Sequence, residues 1–142
     1  MQEQNYKNHS RYVPLYHFLT SGLILLGLGG SIVNLIKADP HTHYSAALLV
    51  IAFIIMIFLF WFARAFALRA QDRAIRAEEN FRHYILTGNP LPKEIRMGQV
   101  IALRFASDEE FPELTKRAVE EKLSQKEIKQ AVKNWRTDYN RA

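Results

Sequence analysis

No cysteine occurs among the 142 residues. That excludes disulfide staples, thiolate catalysis, iron–sulfur clusters and cysteine-based zinc sites. Three phosphate- or nucleophile-bearing signatures are also missing: the Walker loop, the Rossmann glycine fingerprint and the G-x-S-x-G elbow. Charge is absent too, but only locally. Residues 12–36 and 45–63 contain no Asp, Glu, Lys or Arg, although the mean hydropathy of the whole chain is only −0.15. With 142 residues there is room for one ordinary domain and little else.

What fills the charge-free stretches is apolar. A membrane helix needs about 20 apolar residues, because the hydrocarbon core is about 30 Å thick. The second stretch includes Phe53, Ile54, Ile55, Met56, Ile57, Phe58, Leu59, Phe60, Trp61 and Phe62 in succession. A protein this small has no interior that could surround such a helix on all sides. The first stretch could be taken for a signal peptide, but Asn34-Leu35-Ile36-Lys37-Ala38-Asp39 after it lacks a small-x-small cleavage pattern. An uncleaved anchor is the better reading.

The connection, residues 37–44, is short and carries the turn pair Asp39-Pro40. It predicts an antiparallel hairpin with both termini on one side. Basic residues choose that side. Lys7 and Arg11 precede the first span, Arg64, Arg69, Arg73 and Arg76 follow the second, and Lys37 stands alone in the loop. Tyr12, Tyr16, Tyr44, Trp61 and Phe62 sit where interfacial aromatic anchors belong. Both termini are therefore expected in the cytoplasm, with the six flanking cations meeting lipid headgroups.

Two packing stripes emerge. In the first span Thr20, Ile24, Gly27, Ser31 and Asn34 share a face, which suits either another helix or the second span of the same chain. In the second span a seam steps by three and four through Phe53, Met56, Phe60, Ala63, Ala67, Ala70, Ala74, Ala77, Phe81 and Tyr84. That seven-residue repeat keeps one line of a helix toward a partner, as in a coiled coil. Asp72/Arg76 and Glu78/Arg82 are expected as i,i+4 ion pairs. Thr87-Gly88-Asn89-Pro90 should end the helix, making it about 40 residues or roughly 60 Å long. Its partner is either the chain's own tail or another copy.

In the tail, Pro92 is placed to open a helix and Met97-Gly98 to break it. Ser107 with Glu110, and Ser124 with Glu127, have capping-box spacing. Two or three short amphipathic helices follow, too small for a large core of their own and expected to dock on the long helix.

Chemistry is thinly signalled. Asp39, His41 and His43 are the only clustered metal-ligand types, and histidines in a polar loop are more often simply solvated. Glu109, Glu110 and Glu113 suit the first turn of a helix rather than a carboxylate pair. The last helix could be read as a recognition helix carrying Lys126, Lys129, Lys133 and Arg136. Residues 107–142 hold eight basic and eight acidic residues, so phosphate attraction is not favoured. No catalytic residue, cofactor or metal is expected.

Four strings are familiar together: Gln4-Asn5-Tyr6-Lys7-Asn8-His9, Leu68-Arg69-Ala70-Gln71-Asp72-Arg73-Ala74-Ile75-Arg76, Ala102-Leu103-Arg104-Phe105-Ala106-Ser107-Asp108-Glu109-Glu110 and Ile128-Lys129-Gln130-Ala131-Val132-Lys133-Asn134-Trp135. They resemble a family of short bacterial two-span membrane proteins that carries only a domain-of-unknown-function name. The resemblance implies a bacterial inner-membrane location and brings no activity or catalytic residue.

The expected architecture is all-α. A cytoplasmic N-terminus (1–11) leads to a two-helix transmembrane hairpin (12–36 and 45–87, joined by 37–44) whose second helix extends into the cytoplasm. A small C-terminal helical tail (88–142) follows. The expected role is an accessory or scaffolding subunit, as a homo-oligomer or beside other membrane proteins. The alternatives are a pore-like homo-oligomer lined by Thr20, Ser31 and Asn34, and a membrane-tethered nucleic-acid-binding module. The net charge of +5 then reads as a topology signal, because residues 64–106 alone carry eight basic against four acidic residues.

Overall fold

The computed structural model describes Asn5, Tyr6 and residues 12–138. The chain is all-α, and among the described residues strand-like pairing is confined to a single antiparallel bridge between Ala106 and Trp135. A π-helical opening, Leu15–Thr20, runs into α1 (Ser21–Lys37). Then come α2 (His43–Thr87), α3 (Met97–Leu103), α4 (Phe111–Glu120) and α5 (Gln125–Ala131). The chain divides into two compact units. Tyr12–Ala67 form one, and Leu68 onward forms the other, which also takes in Asn5 and Tyr6.

In the unit of residues 12–67, the π-helical turn shifts the backbone bonds from i+4 to i+5 donors, and two hydroxyls add further bonds to its carbonyls. Thr20 Oγ1 donates to Leu15 O at 2.9 Å, and the Ser21 hydroxyl donates to His17 O. The link between α1 and α2 is shorter than the expected residues 37–44. Helix persists to Lys37 and resumes at His43, because the Asp39 carbonyl accepts from both the Thr42 and His43 N–H groups at 2.9 Å. Two contacts set the helical stretch of residues 15–37 against α2 in antiparallel order. Tyr16 stacks on Phe60 at 4.2 Å and donates its hydroxyl to Phe60 O at 2.6 Å. Further along, a Cβ on Gly27 would fall within the Phe53 ring, so only glycine lets that ring approach.

The other unit is built on residues 68–87 of α2. The helix stops where expected: Gly88 adopts φ +74°, a left-handed conformation that suits glycine, with its N–H on Tyr84 O at 2.8 Å. Pro92 does not open a helix. It lies in a turn whose carbonyl accepts from Ile95 N–H at 3.2 Å, and α3 starts at Met97. Met97-Gly98 therefore begins the helix instead of breaking it. The reason is Gln99, whose Oε1 reaches back to the Arg96 N–H at 2.8 Å and caps the first turn.

The Ser124/Glu127 capping box forms as expected, with Glu127 on the Ser124 N–H at 2.7 Å and Ser124 Oγ on the Glu127 N–H at 3.3 Å. The Ser107/Glu110 box does not. Ser107 supplies its backbone carbonyl to Glu110 and Phe111 N–H, while the Glu110 carboxylate accepts from the Lys133 and Asn134 N–H groups at 3.0 Å each. Glu110 thus caps the chain beyond α5. Arg136 N–H donating to Phe105 O at 2.8 Å holds the same segment on the α3–α4 link. Ile75, Ile95, Val100, Leu103, Phe111, Leu114, Ala118, Ile128 and Val132 form the core, so the tail docks on α2 through the Ile75 face.

Candidate functional site

The feature that most concentrates polar chemistry is the contact between α2 and the tail. Glu79 and His83, four apart, point with Ile75 and Arg82 along one side of α2, and Glu79 is only 6% exposed. Arg82 uses its whole fork there. Nη1 meets Glu79 at 2.9 Å, Nη2 the Ala106 carbonyl at 2.7 Å and Nε Asp108 at 2.6 Å. Its guanidinium lies 4.4 Å above the Phe111 ring, a stacking geometry that lysine cannot reproduce. The expected Glu78/Arg82 pair is therefore not formed; Arg82 turns to Glu79, one position nearer the tail. Arg76 likewise reaches for Ile95 O, at 3.5 Å.

Around this pair lie further charges. Arg136 stands 3.7 Å from Glu79, and the buried Arg104 pairs with Asp138 at 3.0 Å. A cleft of about 370 Å³ between them is lined by Glu78, Glu79, Arg104, Arg136 and Asp138. His83 is buried, with Nδ1 2.7 Å from Asn89 O and its ring edge-on to Phe111 at 5.8 Å. That distance to a carbonyl requires the Nδ1–H form as donor. Glu79, Arg82, His83, Arg104, Arg136 and Asp138 are matched into ion pairs and hydrogen bonds, an arrangement that fixes the tail's position on α2.

On the other side of the tail, Gln99 donates from Nε2 to the Ala118 and Leu123 carbonyls at 3.1 and 2.9 Å. One side chain thereby joins the start of α3 to the end of α4. Asn5 borders an open depression with Asp108, Lys133, Trp135 and Arg136, and Tyr6 borders one with Ser124 and Lys129. The start of the chain and its tail thus belong to one unit.

The residues singled out from sequence are distributed as follows. Gly27 of the first stripe meets Phe53 of the same chain. Thr20 and Ser31 spend their hydroxyls on carbonyls of their own helix, Ser31 on Leu28 O at 2.8 Å, and Asn34 is exposed. The long seam splits in two. Phe53 and Phe60 are half-buried against residues 15–37, whereas Met56, Ala63, Ala67, Ala70, Ala74, Ala77, Phe81 and Tyr84 are exposed. The tail therefore does not cover the seam; it takes the Ile75–Glu79–His83 side. Arg69, Arg73 and Arg76 are exposed and Arg64 is half-buried, while Lys7 and Arg11 lie outside the described residues. Asp39, His41 and His43 do not converge: among the described residues no three His, Asp or Glu side chains are placed to share a metal.

Sequence alone gives Glu79, Arg82, His83 and Gln99 no part in seating the tail; Arg82 is expected to pair with Glu78. A signal existed for the first three. They fall on the helical side of Ile75, where the Ala-rich seam is not, so any covering segment would have to satisfy them.

No curated protein and no solved structure matches the chain. The model of DUF6526, a family of unknown function, matches residues 1–142, and the chain belongs to that family.

Proposed function

We propose that this chain is an integral membrane protein that carries a small helical unit on the cytoplasmic side of the bacterial inner membrane, as an accessory or scaffolding subunit without chemistry of its own. One observation carries the reading. The helical stretches Leu15–Lys37 and His43–Thr87 each contain a window apolar enough to cross a bilayer, and only 6% of either window is buried in protein. A core helix of a soluble protein would be covered, whereas these two present Leu25, Leu26, Ile55, Phe58 and Leu59 outward. Lipid is the solvent that such surfaces require.

The proposed topology is supported by the other compact unit. Asn5 and Tyr6 precede the first span and residues 68–138 follow the second, yet they share one compact body, which supports both ends emerging on one side. Arg64, Arg69, Arg73 and Arg76 mark that side as cytoplasmic, and each adds about 1 kcal/mol of attraction to anionic headgroups when well placed. The pore alternative gains nothing from Thr20 and Ser31, whose hydroxyls are engaged within their own helix. The nucleic-acid alternative gains nothing from Lys129, which lies 5.7 Å over the Phe105 ring.

Because the chain lacks cysteine, labelling of single-cysteine variants tests the proposal directly. The protein should stay in the membrane pellet after alkaline carbonate. Thr42→Cys should react with an impermeant maleimide from the outside, and Lys116→Cys only after the cells are opened. Release by carbonate, or the reverse labelling pattern, would refute it.

A further inference from the structure

We propose that the exposed seam of α2 docks a second copy of this chain, as a parallel, in-register pair of helices. Direction rests on the membrane reading above, since two copies anchored by the same spans present α2 in the same sense. The seam itself does not.

Three observations converge on that occupant. First, the chain cannot cover the face by itself. The tail buries Ile75, Glu79 and His83, at 7%, 6% and 7% exposure, on the side of α2 away from the seam. Second, the seam is not merely small. It ends in Phe81 and Tyr84, which are 66% and 54% exposed although they lie beyond the charge-free span. Large aromatic surface outside lipid calls for protein cover.

Third, the flanking charges fit a copy of the same helix in one register. In a parallel two-helix coil, the residue just before one seam position faces the residue just after the next seam position of its partner, five along the sequence. Arg73 precedes Ala74 and Glu78 follows Ala77. Arg73 of each copy would therefore meet Glu78 of the other, twice by symmetry. Both are exposed, and among the described residues neither is ion-paired within its own chain. Small Ala74 and Ala77 between them allow the close approach that these two side chains need.

Full-length single-cysteine variants in native membranes read the seam. Under mild oxidation Ala67→Cys and Ala77→Cys should both give disulfide-linked dimer as the dominant species. Arg69→Cys, exposed on the same helix but off the seam, should remain monomeric. In mild detergent, light scattering should show Glu78→Arg weakening dimerisation by roughly ten-fold, because two pairs turn from attraction to repulsion. Adding Arg73→Glu should restore it, which a merely destabilised helix would not do.

Equal cross-linking at all three positions, no seam cross-linking, or failure of the double reversal to rescue overturns the proposal. Cross-linking at only one of Ala67 and Ala77 overturns the parallel register, since an antiparallel seam meets itself only at its midpoint. Failure of the membrane reading looks different: carbonate would release a chain whose two seam cross-links still form, and that result upholds the dimer.

Discussion

Arg82 and Asp108 are 26 residues apart, and their side chains meet at 2.6 Å. The same guanidinium holds Glu79, the Ala106 carbonyl and the Phe111 ring, so one residue of α2 contacts the α3–α4 link and the start of α4. The contributions differ in weight. Asp108 has a side chain 68% exposed, so its pair with Arg82 is screened by solvent. Glu79, with a side chain only 8% exposed, depends on Arg82 for its charge.

Arg82→Ala should therefore be strongly destabilising, by about 3 kcal/mol, because it leaves a buried carboxylate with only the more distant Arg136. Asp108→Asn should stay below about 1 kcal/mol, and Arg82→Lys should fall between. Hydrogen exchange of the α3–α5 amides in the full chain checks the order. Equal effects of Arg82→Ala and Asp108→Asn would contradict it.

At Gln99 the shape of the amide matters more than its polarity. Ala at this position removes three hydrogen bonds and leaves two buried carbonyls to find water, a loss of about 2–3 kcal/mol. Glu is nearly the same size but turns its second oxygen toward the Ala118 and Leu123 carbonyls, so Gln99→Glu should be worse than Gln99→Ala at neutral pH. Acid should narrow that gap as the carboxyl gains a proton to donate. Denaturation midpoints of the two variants at pH 7 and pH 5 give the comparison.

Between the two apolar helices, glycine positions are not equivalent. Gly27→Ala places its Cβ in the Phe53 ring and should cost about 1–3 kcal/mol through forced repacking. Gly29→Ala meets open space and, by helix propensity, should be neutral or stabilising by up to about 1 kcal/mol. Thermal unfolding of both variants in the same detergent measures the difference. A similar loss at both sites would show that Phe53 does not rest on Gly27.

The α5 cap predicts an acid limb. Hydrogen bonding from Ser124, by its side chain first and its backbone N–H second, holds the exposed Glu127 carboxyl below the usual carboxylate range. A carboxyl lowered in the folded state stabilises above its unfolded value of about 4.3, and that support disappears as pH falls through the lower folded value. Glu121 is lowered as well, chiefly by its hydrogen bond from Arg117, and shifts stability in the same direction. Protection factors of the α5 amides, which correct for the intrinsic slowing of exchange in acid, should fall below about pH 4.3, and Glu127→Gln should flatten that dependence. A steeper acid response in Glu127→Gln would exclude the cap as its source.

Some of this fold could be read directly from the order of residues. The charge-free runs, Gly88 as a helix stop and the Ser124/Glu127 box all act within a few positions, so local spacing contains the information. Where the structure departs from the local pattern, another group competes for the same partner. Pro92 has the right chemistry to open a helix, but Gln99 caps the turn at Arg96, and the helix begins there. Glu110 has the right spacing from Ser107, but two free N–H groups at Lys133 and Asn134 lie within its reach. Glu78 and Glu79 are both within one helical turn of Arg82, and only burial against the tail favours Glu79.

The sequence by itself determined the all-α class, the two apolar helices and the long helix with its alanine seam. Each depends on composition and period along a single element, which backbone hydrogen bonding and solvent partition enforce locally. Tertiary structure alone decided which side of α2 the tail covers. That choice rests on whether Glu79, Arg82 and His83 find partners 6 to 57 residues away once buried, and no local period specifies those partners. With the tail on that side the seam is left open, and the helix that carries it holds half of the basic surplus of residues 64–106, five basic against three acidic residues in 64–87.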